Sequence, residues 1–110
     1  KSIPMMEKAA AKSDEGELYV RLGNVYLDGD QFSEAADSVQ KGLKKGGVKR
    51  PDQARLVLGM AFFNLGEYDK ARRAFRDAGK DKRSAKYSKQ WITYVTSEED
   101  RQRELEKDLF

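Results

Sequence analysis

One stretch of this chain is written twice. Tyr19-Val-Arg-Leu-Gly-Asn-Val-Tyr26 is echoed 36 residues later by Arg55-Leu-Val-Leu-Gly-Met-Ala-Phe62, and the echo stays in register downstream. Asp30-Gln31-Phe32 corresponds to Gly66-Glu67-Tyr68, Ala35 to Ala71 and Val39 to Phe75. A period of this size marks a supersecondary unit that buries its apolar face only by stacking on its neighbours. Leu18, Leu22, Val25 and Tyr26 fall at helical spacing, as do Leu58, Ala61, Phe62 and Leu65, so each unit opens with a helix, termed A. Phe32, Ala35, Ala36, Val39 and Leu43 make a second stripe, matched by Tyr68, Ala71, Ala74, Phe75 and Ala78, which defines the B helices. Gly29-Asp30 and Leu65-Gly66 sit where each pair must turn. The fold class that follows is all-α.

Composition agrees with stacked amphipathic helices. Proline occurs only at Pro4 and Pro51, leaving long stretches without a helix breaker. Hydrophobic residues are 38% and charged residues 37%, which suits helices that each keep one solvated face. The 110 residues fit one domain, 1–110. Because the sequence opens inside an apparent helix without an initiator methionine, it reads as a piece of a longer protein. No apolar run reaches the length of a bilayer span, so no membrane insertion of this segment is expected.

Histidine and cysteine are both absent, which removes imidazole bases, thiolate nucleophiles and the commonest zinc ligands together. Carboxylate pairs such as Glu15 with Glu17 and Glu98 with Glu99 lie in charged segments with no apolar pocket to raise a pKa. Asp28, Asp30 and Glu34 lack the spacing of a calcium loop. The chain is therefore read as a non-enzyme with no cofactor, no metal site and no catalytic residue.

The repeat resembles the tetratricopeptide repeat, a helix-turn-helix with an aromatic, Leu-Gly, Tyr, Gly-x-Tyr, Ala, Phe, Ala pattern. Leu58, Gly59, Phe62, Gly66, Tyr68, Ala71, Phe75 and Ala78 all match it; the first repeat matches at Tyr19, Leu22, Gly23, Tyr26, Phe32 and Ala35. It departs at Val39 and Gly42, and Arg55 replaces the opening aromatic of the second repeat. The resemblance implies a short right-handed solenoid of helix pairs. Residues 1–13 would be the B helix of a preceding repeat, 16–46 the first repeat, 51–80 the second, 84–96 a third or capping helix and 97–110 a charged helical tail. Glycine on an A helix costs about 1 kcal/mol relative to alanine. Close approach of a facing helix, with Ala35 and Ala71 as the facing small residues, is the expected compensation for Gly23 and Gly59.

Tetratricopeptide arrays bind peptides or helices along a concave groove lined by A helices. Carried over residue by residue, that groove comprises Val20, Asn24 and Leu27 on the first A helix and Leu56, Met60, Phe63 and Asn64 on the second. It is mostly apolar, and Val20 and Leu56 stand where a carboxylate clamp would need charge. The implied function is a protein-interaction scaffold holding a partner peptide, a helix or another copy of itself. The alternative is a C-terminal structural cap of a longer array, with Trp91 and Tyr94 covering Met60 and Phe63.

Charge is segregated along the chain. Residues 13–37 carry seven acidic residues against Arg21, residues 70–89 nine basic residues against Asp77 and Asp81, and residues 90–110 a net −3. The cluster Arg72, Arg73, Arg76, Lys80, Lys82 and Arg83, with Tyr87 and Trp91 nearby, admits a nucleic-acid adaptor as a remote alternative. Acidic flanks and the absence of a recognition motif argue against it. Finally, KSIPMMEKAA, GLKKGGVKR and QWITYV resemble the C-terminal end of periplasmic repeat proteins of Gram-negative bacteria associated with TonB-type systems. That resemblance implies a periplasmic location; without it the cytoplasm is the default.

Overall fold

Apolar residues three and four apart, uninterrupted by proline, wind the chain into six helices in the computed structural model, which describes residues 2–109. They are α1 (Ile3–Lys12), α2 (Glu17–Asp28), α3 (Phe32–Lys45), α4 (Pro51–Asn64), α5 (Tyr68–Ala78) and α6 (Ala85–Leu109), with no strand among the described residues. Each helix packs on the next in sequence, and α2 also touches α4, which makes a solenoid of stacked pairs. Among the described residues no helix is long and apolar enough to cross a membrane. Lys1 and Phe110, the outermost residues of the expected first and last segments, lie outside the described residues.

Local chemistry sets the helix ends. The Met5 amide donates to the Ser2 hydroxyl 3.4 Å away, and Pro4 and Pro51 occupy first-turn positions where the missing amide hydrogen is not needed. Each A helix closes on a left-handed residue, Asp30 with φ 59° and Gly66 with φ 77°. The next amides, Gln31 and Glu67, then donate back 2.9 Å to the Tyr26 and Phe62 carbonyls. One period further on, position 102 is glutamine, which has no such tolerance of positive φ. The chain does not turn there, and α6, Ala85–Leu109, continues unbroken for 25 residues across the boundary between the 84–96 and 97–110 segments distinguished in the sequence.

The core is built where A helices meet B helices. Leu22, Ala35, Val39, Ala61, Ala71, Phe75 and Val95 are at most 1% exposed. Gly23 and Gly59 do lie at close contacts, but the side chain that fills each notch is not an alanine. A Cβ on Gly23 would lie 2.5 Å from Val39 Cγ2, and one on Gly59 would lie 2.6 Å from the Phe75 ring. The large side chain at the 39/75 position enters the notch that glycine leaves; Ala35 does face Gly23, its carbonyl oxygen 3.3 Å from where a Cβ would lie, whereas Ala71 is buried without a contact of that kind to Gly59. Phe75 in turn stacks on Trp91 of α6, with centroids 5.1 Å apart and planes 9° from parallel. The Ser88 hydroxyl donates to the Phe75 carbonyl, so α6 is held to α5 at both the ring and the backbone of one residue.

Two longer ties complete the stack. Lys45 Nζ donates 3.1 Å to the Ala10 and Ala11 carbonyls, a cation at the negative end of α1. Arg72 joins Asp69 at 2.6 Å and, 2.9 Å away, Glu99 of α6.

Gly59→Ala tests the notch directly. Alanine gains about 1 kcal/mol of helix propensity, yet its methyl must displace a ring already held by Trp91, and overpacking costs about 1–3 kcal/mol. The expected outcome is a lower thermal midpoint; a raised midpoint would show that the notch has room to spare.

Candidate functional site

Between α2 and α4 runs a groove of about 460 Å³. Its apolar floor is Val20, Ala54, Leu56, Val57 and Met60, and its rim carries Glu17, Arg21, Asn24, Lys49, Arg50 and Gln53. Of the groove residues expected from sequence, it brings together Val20, Asn24, Leu56 and Met60. Val20 is buried, Leu56 and Met60 are half-buried, and Asn24 is exposed with its Nδ2 donating 3.3 Å to the Val20 carbonyl. That bond uses one Nδ2 hydrogen and leaves the acceptor capacity of the Asn24 carboxamide oxygen unspent by it.

Leu27, Phe63 and Asn64 lie outside this groove. Leu27 packs half-buried against the core, and Asn64 is exposed with its Nδ2 donating 2.8 Å to the Met60 carbonyl. Phe63 belongs to an aromatic cluster, its ring centroid 5.3 Å from Tyr94, 5.9 Å from Tyr68 and 6.2 Å from Trp91. Thus Tyr94 and Trp91 cover Phe63, while Met60 remains part of the open groove.

Sequence reasoning missed Gln53, Ala54 and Val57, together with the rim charges. Gln53, Leu56, Val57 and Met60 stand at i, i+3, i+4 and i+7, so extending the stripe backward from Met60 would have found them. The rim from the loop was less visible. Residues 46–50 fold over the start of α2 because the Gly16 amide donates 2.6 Å to the Gly46 carbonyl and the Lys49 amide 3.1 Å to Glu17 Oε1. This places a lysine from the loop opposite residues of α2.

The groove's α4 wall is anchored by a buried carboxylate. Asp52, 2% exposed, accepts from Arg50 at 2.9 and 2.6 Å and from the Ser84 hydroxyl at 2.7 Å, with Arg83 3.7 Å away. The Arg50 hydrogen bonds hold its carboxyl well below the usual carboxylate range, and Ser84 adds to this, against burial that pushes the other way. Asp52 therefore ties the start of α4 both to the groove rim and to the turn before α6.

The basic block of 70–89 is partly neutralised. Lys70, Arg72, Lys80 and Arg83 have carboxylate partners, whereas Arg73, Arg76, Lys82, Lys86 and Lys89 form no ion pair among the described residues.

In comparison with known proteins, residues 52–78, which span most of α4 and all of α5, match the tetratricopeptide repeat family. No curated protein and no solved structure matches the chain. The likeness to periplasmic repeat proteins thus has no matching relative behind it.

A carboxylate that binds its proton at lower pH in the folded than in the unfolded state contributes stability that is full above about pH 5, begins to be lost as pH enters the ordinary carboxylate range, and is gone only once pH has fallen through the lowered folded-state value. Asp52→Asn removes that contribution. Urea unfolding at neutral pH should show a loss of about 1–3 kcal/mol, with a shallower fall toward acid than the parent chain. Equal acid sensitivity in both would place the titration elsewhere.

Proposed function

We propose that this chain, whose α4 and α5 form a tetratricopeptide repeat, is a non-catalytic scaffold that holds a segment of another protein in the α2–α4 groove. Tetratricopeptide repeats act in protein–protein interaction, and that family character supports the general reading. The observation that carries the specific one is the groove itself, with an apolar floor left open by the side chains of the described residues and a rim of amides and charges. Val20, Leu56 and Met60 would receive apolar side chains of the ligand. Asn24 and Gln53 would meet its backbone amides, and Lys49 would favour an acidic residue nearby.

The competing assignment, a cap whose concave face is closed by α6, rests on Phe63, which Tyr94 and Trp91 do cover. Leu56 and Met60 are the residues that separate the two readings. Peptides selected from a displayed random library against the chain provide a ligand whose affinity is measurable by fluorescence polarisation. Leu56→Glu combined with Met60→Glu is expected to weaken that binding at least about a hundredfold, some 2.7 kcal/mol, with helicity by circular dichroism unchanged. Selected peptides that bind the double variant as tightly as the parent would sink the groove assignment.

A further inference from the structure

Positions that repeat along the chain are not equally buried. Ile3, Met6 and Ala10 of α1 pack into the core with the spacing of Ala36, Val39 and Leu43 of α3, 33 residues further on. The same register aligns the last residues of the two helices, Lys12 and Lys45. It sets Met5, Met6 and Ala9 against Ser38, Val39 and Gly42, while the 36-residue echo sets Leu18, Arg21 and Val25 of α2 against Ala54, Val57 and Ala61 of α4. In the later unit these positions are closed: Ser38, Val39, Gly42, Ala54 and Ala61 are buried and Val57 is half-buried. One unit earlier they are open. Met5 is 68% and Val25 38% exposed, Ala9 and Arg21 are exposed, and Met6 and Leu18 are half-buried.

Met5, Met6, Ala9, Leu18 and Arg21 line a valley of about 330 Å³ between α1 and α2, and Val25 stands one turn beyond Arg21. The same molecule shows what fills the corresponding valley between α3 and α4. It is α2, which packs on α3 and touches α4. Its glycine meets the B helix: a Cβ on Gly23 would lie 2.5 Å from Val39 Cγ2, and one on Gly42 would lie 2.9 Å from Val20 Cγ2 and 3.2 Å from Tyr19 Cβ. On α5, α4 repeats the arrangement with Gly59 against Phe75. Met6 holds the Val39 and Phe75 position and has no helix over it. Charge differs as well. Where α4 has Val57, α2 has Arg21, whose side chain is 58% exposed with Glu17 3.7 Å away.

We propose that the α1–α2 valley docks a helix of another protein, one shaped like α2, at an edge of the stack distinct from the α2–α4 groove. A repeat unit buries its apolar face only against a neighbouring helix, and the fit of α2 on α3 and α4 states the chemistry of that neighbour. Its apolar face carries glycine or alanine opposite Met6, because a longer side chain there would hold the two backbones apart. A carboxylate on its flank lies within reach of Arg21, replacing the apolar contact that Val57 makes possible one unit later. A second copy of this chain does not offer such a face. The glycines of α2 and α4 are already covered by α3 and α5, and α6 has no glycine; the position 36 residues after Gly59 is Val95, itself fully buried.

The probe is a labelled synthetic peptide of residues 14–31, which is α2 with its flanking turns. It carries Gly23 and five acidic residues against Arg21, so it offers both the shape and the sign required. Fluorescence polarisation with the whole chain should show binding that saturates below about 1 mM and weakens with added salt. A peptide with Gly23→Leu should bind at least about tenfold more weakly, and so should the parent peptide to a chain carrying Met5→Glu with Val25→Glu. Both chain residues are exposed, so helicity should be unchanged. Leu56→Glu with Met60→Glu should leave this binding intact, so failure here and failure of the groove assignment are distinguishable. The proposal is overturned by no saturable binding up to about 1 mM, by equal binding of the Gly23→Leu peptide, or by indifference to the Met5/Val25 change. A dimer in sedimentation equilibrium that the Met5/Val25 change dissolves would also overturn it, giving the valley to a second copy.

Discussion

The structure depends on how closely an A helix can approach its B helix. At Gly59 the absent side chain leaves a notch that the Phe75 ring enters, and the far side of the same arrangement is closed by Trp91. Three helices therefore share one fully buried side chain. Truncating a buried phenylalanine costs about 3–5 kcal/mol, a large share of the 5–15 kcal/mol, approximately, that stabilises a typical domain. The first repeat makes the same notch at Gly23 but fills it with Val39. Valine has no ring to stack on a further helix, so the aromatic column is confined to the C-terminal side.

Around that column, electrostatics does two kinds of work. Most ion pairs, such as Asp37–Lys41, Glu67–Lys70 and Glu104–Lys107, are local and exposed, and each contributes little. Lys45 on the α1 carbonyls, Arg72 on Glu99 and Asp52 beneath Arg50 and Ser84 are different, because each joins elements distant in sequence. Asp52 bears most directly on the groove. Its carboxylate couples the first turn of α4, which carries Ala54, Leu56 and Val57 into the groove, to the turn that launches α6.

Helix identity was legible because apolar spacing and scarce proline leave few alternatives, and Asp30 and Gly66 announced the two turns. The unbroken α6 was legible only in retrospect, through glutamine at 102 where the earlier units have a residue able to turn. Partners across helices were harder to read. Gly59 signalled a close contact, but not that a phenylalanine and not Ala71 would fill it, since a one-dimensional echo aligns positions without showing which of them face each other. Within the groove, Val20, Asn24, Leu56 and Met60 followed from the carried-over positions. Phe63 was equally apolar and equally placed in sequence; what distinguishes it is Tyr94, on α6, two helices further along the chain. Lys49 and Arg50 reach the rim through backbone hydrogen bonds of a glycine-containing loop, which leave no periodic trace.

Hydrogen exchange resolved along the chain tests the central claim that the Gly59–Phe75–Trp91 column makes α4, α5 and the first half of α6 one cooperative unit. Elements that open only together exchange with a common free energy, whereas a helix without tertiary contacts frays independently. The account predicts matched protection for the buried turns of α4 and α5 and for α6 up to about Val95, with residues 102–109 exchanging far faster. Trp91 fluorescence should report the same transition as the protected amides. Uniform protection along the whole of α6, or a first half of α6 that opens well before α4 and α5, would contradict it.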